Sequence, residues 1–154
     1  MCIRDSIIND PVAAQAVFAA EWPVTMVGLD VTMEARFEEA HRARLQGGGA
    51  SAKALAAMLG VYFEFYTAIL GRPSCALHDP LAAAIALGTV VPTLAPLVPI
   101  EVDTTDGPGR GQTIVDRRDR YLGYPERPGL RHRAVLRIPE GFGDALLASL
   151  LRLP

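Results

Sequence analysis

The chain has 154 residues, which is enough for one domain with a hydrophobic core. Half of the residues are hydrophobic, 21% are charged and the formal net charge is -2, which argues against a nucleic-acid partner bound through its phosphates. No apolar run reaches transmembrane length without a charge or a proline, so we expect no membrane partner. Cys2 and Cys75 are too few for a disulfide framework, so a reducing, cytoplasmic location is expected.

The first six residues differ in character from the rest of the chain and lack the apolar segment of a signal peptide. We interpret residues 1–6 as a non-native lead-in and residues 7–154 as part of a single domain. Capping residues, turns and hydrophobic spacing then predict the elements in chain order. These are helix 12–20, strand 24–29, helix 33–45, helix 51–70, helix 79–87, strand 97–103, strand 113–116, strand 134–138 and helix 139–151.

Three of these segments carry the clearest patterns. Residues 24–29 are almost continuously apolar, which is typical of a strand covered on both faces of a parallel sheet. The helix over 51–70 places one apolar face toward a predicted core, formed by Leu55, Met58, Leu59, Tyr62, Phe63, Tyr66, Ile69 and Leu70. The last helix is expected to bury Phe142, Leu146, Leu150 and Leu153. Together these patterns predict an α/β fold.

The sequence Leu77-His78-Asp79-Pro80 carries the most chemical information. Asp79 suits the N-cap of a helix and Pro80 suits its first position, so a plain capping role is one interpretation. The other interpretation is functional, because His78 can exchange a proton near neutral pH and the Asp79 carboxylate can bind a hard cation. The residues alone leave both interpretations open.

Other candidate residues have weaker patterns. Asp30 directly follows a predicted strand, where ligands gather in open α/β sheets, but it could equally cap the next helix. Asp103, Asp106 and Asp116 are interpreted as turn or surface residues, and 107–111 as a hairpin turn rather than a phosphate loop. The arginine-rich segment 110–133 is interpreted as a solvated loop or an oligomer contact. Nothing near Cys75 marks it as an activated nucleophile.

Four segments together resemble the C-terminal half of the inosine–uridine-preferring nucleoside hydrolase family. They are residues 10–14 (DPVAA), 23–32 (PVTMVGLDVT), 77–82 (LHDPLA) and 110–118 (RGQTIVDRR). The resemblance implies an open, mostly parallel sheet with flanking helices, and an enzyme that cleaves the N-glycosidic bond of a nucleoside with water. It implies one bound calcium ion, with Asp79 as a ligand, and His78 as the group that protonates the departing base. It also implies a homo-oligomer in the full-length protein, acting in purine and pyrimidine salvage.

Two features of the family are absent from this sequence. The N-terminal aspartate-rich motif, which supplies most calcium ligands and the general base, is not found. The Glu-Phe-Asn segment that binds ribose should end at Ser6, but Arg4-Asp5-Ser6 stands there. Since one carboxylate cannot provide six to eight oxygen ligands, we predict that this chain alone neither binds calcium tightly nor hydrolyses nucleosides. An unpaired sheet edge would also make it prone to aggregate.

Two alternative functions remain open at this point. One is a non-catalytic remnant or interaction module with the same fold. The other is a metal-dependent phosphohydrolase that would bring His41, His78 and Asp79 together with a later aspartate such as Asp103. That family is all-helical, so the predicted strands argue against it.

Overall fold

The computed structural model describes residues 6–118 and 129–154 and confirms the α/β fold. Its helices are α1 (Pro11–Ala19), α2 (Leu29–Thr32), α3 (Glu39–Gln46), α4 (Ala50–Leu70), α5 (His78–Ala86) and α6 (Phe142–Leu150). Its strands are β1 (Thr25–Val27), β2 (Arg36–Glu38), β3 (Ser74–Ala76), β4 (Ile100–Val102), β5 (Thr113–Val115) and β6 (Arg133–Val135). Residues 1–5 of the predicted lead-in lie outside the described residues.

The chain divides into two compact units, one of residues Met1–Val31 and Pro92–Ile138, the other of Thr32–Val91 and Pro139–Pro154. In the first unit, β1 pairs with β6 in parallel, with Met26 opposite Ala134, and β4 pairs with β5 in antiparallel fashion. These pairs confirm the four predicted strands, each shorter than predicted and β6 beginning one residue before its predicted start, and they confirm the hairpin between β4 and β5. The core of this unit is built on Val98, Ile100 and Ala134.

Helix α1 begins at Pro11, one residue before its predicted start. The carboxylate of Asp10 accepts a hydrogen bond from the backbone N–H of Ala13 at 2.9 Å, and Pro11 occupies the first helical position. The side chain of Gln15 then accepts a hydrogen bond from the backbone N–H of Val102 at 2.6 Å. This bond ties α1 to β4 within the first unit.

The second unit is organised around the antiparallel pair of β2 and β3, in which Phe37 lies opposite Cys75. The backbone N–H of Leu77 donates to the carbonyl of Ala35 at 2.8 Å, so the pairing continues one step beyond the strands. Helix α4 packs against α3 and β3, and α6 packs against α3 and β2. The central pair is buried, with Phe37 3% and Cys75 4% exposed.

The predicted helix over 33–45 is wrong in its first half. Residues Arg36–Glu38 form β2 because Ser74–Ala76 offers them a backbone partner, and α3 begins only at Glu39. A capping box marks this start. The Glu38 side chain accepts from the backbone N–H of His41, while the His41 ring Nδ1 accepts from the backbone N–H of Glu38 at 2.9 Å.

Helix α4 begins one residue before its predicted start, ends as predicted and lacks part of the predicted burial. Phe63 is 3% exposed, whereas Met58, Tyr62 and Ile69 are 59–63% exposed, so three predicted core residues lie at the surface of this chain. Periodicity identifies an apolar face but not what covers it. Among the described residues, α4 is also the one helix long and apolar enough to cross a membrane, a weak indication because core helices pass the same test.

Helix α6 starts later than predicted and buries a different residue. Gly141 has a φ of 79°, a left-handed conformation that an α-helix cannot contain, so the helix begins at Phe142. Phe142 is buried as expected, but Leu147 is fully buried and Leu153 is 46% exposed. The predicted stripe is therefore correct at its start and wrong at its end.

Removing buried volume from α5 should destabilise the chain far more than an equal change at its exposed end. Leu81 is 0% exposed and Leu87, just after the helix, is 79% exposed. We expect Leu81→Ala to lower the free energy of unfolding by about 2–5 kcal/mol, or to abolish a cooperative transition. Leu87→Ala is the matched control and should change it by less than about 0.5 kcal/mol. Equal urea midpoints for the two variants would contradict the described packing.

Candidate functional site

Helix α5 begins one residue earlier than the sequence predicts, which changes the role of Asp79. Leu77 precedes the helix because its N–H still belongs to the pairing with Ala35, and His78 is the first helical residue. Asp79 is therefore the second helical residue and not the N-cap. Pro80 is tolerated at the third position because first-turn N–H groups have no partner within the helix.

His78 is held by a single hydrogen bond. Its ring nitrogen Nδ1 lies 2.7 Å from the hydroxyl oxygen Oγ1 of Thr32, the last residue of α2. The His78 side chain is half-buried, and Thr32 is 3% exposed. Among the described residues, the His78 ring makes no other hydrogen bond. The second ring nitrogen, Nε2, is thus the one open to a ligand.

Asp79 lies exposed in the first turn of α5. A carboxylate in this position is stabilised by the positive end of the helix dipole, by about 0.3–1 kcal/mol. In the part of the chain that the structure describes, no group of three or more His, Cys, Asp or Glu side chains could hold a metal ion. Asp79 therefore offers a single carboxylate rather than a formed metal site.

The histidine set of a phosphohydrolase is not assembled among residues 6–118 and 129–154. The ring of His41 stacks on Phe37 with centroids 5.1 Å apart, and its Nε2 lies 3.7 Å from the Asp144 carboxylate. His41 thus supports the packing of α3 on α6. This arrangement argues against the phosphohydrolase interpretation.

The remaining carboxylates have structural partners or lie exposed. Asp30 is exposed in the short helix α2, so capping and ligand roles both remain open for it. Asp116 accepts two hydrogen bonds from the Arg118 guanidinium, at 2.8 and 2.7 Å. Asp106 lies 3.5 Å from Arg110 across the turn. These contacts agree with the predicted turn and surface roles of Asp106 and Asp116.

Asp103 organises the turn between β4 and β5. Its Oδ1 accepts hydrogen bonds from the Thr105 hydroxyl at 2.6 Å and from the Thr105 backbone N–H at 2.9 Å. These bonds, with the nearby Arg110 cation, lower the pKa of Asp103 below its ordinary value. Its role is therefore local and structural, as predicted.

Cys75 is buried on β3, and burial is the main reason that the pKa of its thiol is raised. A raised pKa suppresses the thiolate, which is the nucleophilic form. The structure thus agrees with the expectation that Cys75 is not an activated nucleophile.

Described arginines of the 110–133 segment contact the protein itself. Arg131 donates to the Glu21 carbonyl at 3.0 Å, and Arg133 donates to the Ala95 carbonyl at 2.9 Å. A groove of about 410 Å³ in the first unit includes Arg117 and the Arg118–Asp116 pair in its lining. Residues 119–128 lie outside the described part, so an oligomer contact there stays a prediction.

Thr32 is the site residue that the sequence does not single out. It stands at the end of the matching segment 23–32, and 46 positions separate it from His78. Nothing in the local sequence links this threonine to a distant histidine. Only the packing of the second unit brings the two side chains together.

Comparison with known proteins agrees with this fold and motif order. The family model described as "Inosine-uridine preferring nucleoside hydrolase" matches residues 6–140. A curated relative of that name from Leishmania major is 32% identical over 86% of this chain and 40% of its own length. A pyrimidine-specific ribonucleoside hydrolase from Salmonella paratyphi B is 33% identical, over 72% of this chain and 36% of its own length.

A solved structure gives the same result. The chain superposes on a purine-preferring ribonucleoside hydrolase from Gardnerella vaginalis with a TM-score of 0.76 and 28% identity, covering 94% of this chain and 44% of that one. The fold is therefore that of the nucleoside hydrolases. The chain belongs to the inosine–uridine-preferring nucleoside hydrolase family, and it spans 36–40% of the length of the two curated relatives.

The lowered pKa of Asp103 predicts a specific titration. A lowered folded-state pKa stabilises the fold above the ordinary value of about 3.9 and ceases to do so as the pH falls through the folded-state pKa. Thr105→Val removes the largest cause, so the pKa of Asp103 should rise in a carboxyl NMR titration. Thr104→Val, which changes a neighbouring threonine, is the control and should leave it unchanged. An unshifted Asp103 in Thr105→Val would contradict the assignment.

Proposed function

We propose that this chain contributes the leaving-group acid, His78, and one metal ligand, Asp79, to a ribonucleoside hydrolase. Membership in the family supports the reaction, and one observation supports the role of His78. Its ring stands at the start of α5 with Nδ1 engaged by Thr32 and Nε2 open to a ligand. That is the geometry a proton donor requires, because one nitrogen is held while the other meets the substrate.

The proposed reaction is hydrolysis of the N-glycosidic bond. The bond between C1′ of the ribose and the base nitrogen breaks, and its electron pair leaves with the base. The proton on Nε2 of His78 moves to the departing base, while water attaches to C1′ and loses a proton to a base that we do not assign among the described residues. Since the transition state is oxocarbenium-like, protonating the leaving group stabilises it, which for general acids is worth about 10²–10⁴-fold in rate.

Calcium is the cofactor that the family resemblance implies, and the described residues do not fit a complete site for it. Calcium takes six to eight oxygen ligands, whereas the described residues contain no group of three or more His, Cys, Asp or Glu side chains that could hold a metal ion. We therefore propose Asp79 as one ligand among several that this chain does not provide. No step of the reaction above is assigned to the metal.

The substrate class we propose is the ribonucleosides, without a choice of base. The relatives' names specify inosine and uridine, pyrimidine ribonucleosides and purine ribonucleosides in turn, so the family assignment does not select one. A cytoplasmic role in purine and pyrimidine salvage, acting as a homo-oligomer, is part of the same proposal. A non-catalytic module of the same fold is the alternative that the experiment below distinguishes.

A chimeric protein, called the graft below, distinguishes the ribonucleoside hydrolase from the non-catalytic module. Residues 7–140 of this chain replace the matching region of the Leishmania major relative, and ribose release from inosine and uridine is measured with added calcium. We expect the graft to release ribose and the 154-residue chain alone to release none. His78→Gln in the graft should lower the rate by about 10²–10⁴-fold because the proton donor is lost.

The control variant is Leu87→Ala in the same graft, since Leu87 is exposed at the end of α5. It should keep the activity of the unmodified graft. A folded graft without ribose release would favour the non-catalytic alternative. Full activity in His78→Gln would contradict the role assigned to that residue, and robust turnover by the chain alone would contradict the incomplete calcium site.

A further inference from the structure

We propose that Thr32 is a positioning residue for His78, a role that rests on the function proposed above. The hydroxyl of Thr32 holds Nδ1 of the imidazole at 2.7 Å and so determines that Nε2 is the nitrogen presented to the leaving base. Thr32 itself does not touch the substrate in this scheme. It acts through the orientation of the His78 ring.

The backbone around the pair is fixed on both sides. The carbonyl of Thr32 accepts a hydrogen bond from the N–H of Ala35 at 3.2 Å, and the carbonyl of Ala35 accepts one from the N–H of Leu77 at 2.8 Å. Leu77 directly precedes His78. The hydrogen bond between Ala35 and Leu77 therefore joins the two backbone segments that carry these side chains. Thr32 lies three residues before Ala35, and His78 lies one residue after Leu77.

Burial makes the contact specific. Thr32 is 3% exposed, and the Leu77 beside His78 is 5% exposed, so water has little access to the Nδ1 side of the ring. A part-buried ring nitrogen without a partner costs free energy, which keeps Nδ1 directed at the hydroxyl. The ring has no competing hydrogen bond among residues 6–118 and 129–154. Loss of the hydroxyl would leave the imidazole free to rotate.

A hydroxyl is well suited to a group that changes its proton. It can donate to Nδ1 when that nitrogen is bare and accept from Nδ1–H when the ring carries both protons. A backbone carbonyl could only accept, and a carboxylate would add a full charge beside the ring. The hydroxyl can thus hold Nδ1 in either neutral tautomer of the ring.

The first test measures the hydrogen bonding of the His78 ring directly in this chain. Two-dimensional NMR correlates the ring nitrogens and carbon-bound protons of all three histidines, and reports hydrogen bonding and tautomer for each. The measurement is made at the same pH for every variant. We expect Thr32→Val to shift the Nδ1 resonance of His78, and Thr32→Ser, which keeps the hydroxyl, to restore it.

His41 and His132 are internal controls, because neither contacts Thr32: His41 bonds to the Glu38 N–H and His132 lies 2.8 Å from the Phe18 carbonyl. Their resonances should be the same in all variants, which also shows that the fold is kept. If Thr32→Val does not fold, Thr32→Ala takes its place with the same expectation. A folded variant whose His78 resonances match the wild type would overturn the proposal.

The second test uses the graft. There Thr32→Val should lower kcat by about 10- to 100-fold, because misplacement of a reacting group costs this much, while KM changes little. Thr32→Ser should recover most of the rate. If the unmodified graft is inactive, the proposed function is contradicted. The NMR measurement tests the Thr32–His78 contact independently of that outcome. An active graft in which Thr32→Val keeps the full rate overturns the positioning role.

Discussion

The backbone pairing between β2 and β3 is the constraint on which the candidate site depends. Three residue pairs form it, with Phe37 and Cys75 buried at its centre, and the bond from Leu77 to Ala35 extends it to the edge of α5. This extension determines where α5 begins and therefore where His78 stands. Without it, the start of α5 would not be held in place, and His78 would not be held beside Thr32.

The same constraint holds the two residues proposed for a hydrolase site. Packing in the second unit holds the His78 ring against Thr32 and leaves the Asp79 carboxylate exposed in the same helical turn. The other chemical requirements of glycosidic hydrolysis, a base for water and further oxygen ligands for a cation, have no counterpart clustered among the described residues. The chain spans 36–40% of its two curated relatives, which is consistent with a partial set.

Local sequence patterns correctly predicted the helix positions and lengths that local interactions determine. Asp10 and Pro11 located α1, and the length of α4 followed from its periodicity and from Gly71, whose φ of 71° ends it. The prediction missed strand β2 because its three residues continue the sequence pattern of the helix that follows. Its partner strand, β3, lies 38 positions further along the chain. The predicted burial of α4 was wrong because the periodicity of an apolar face does not show which element packs against it. The residues alone singled out the His78–Asp79 pair and the family resemblance supplied its proposed roles, whereas the contact of His78 with Thr32 required the tertiary structure.

Amide hydrogen exchange at Leu77 tests most directly whether β2–β3 pairing holds the start of α5. In the described geometry this N–H is bonded to Ala35 within a buried segment, so it should exchange only when the second unit unfolds. Its protection should equal that of the most protected amides of α4. The amide of Leu87, at the exposed end of α5, should exchange much faster. Rapid exchange at Leu77 while α4 stays protected would contradict a rigid site and, with it, the positioning of His78.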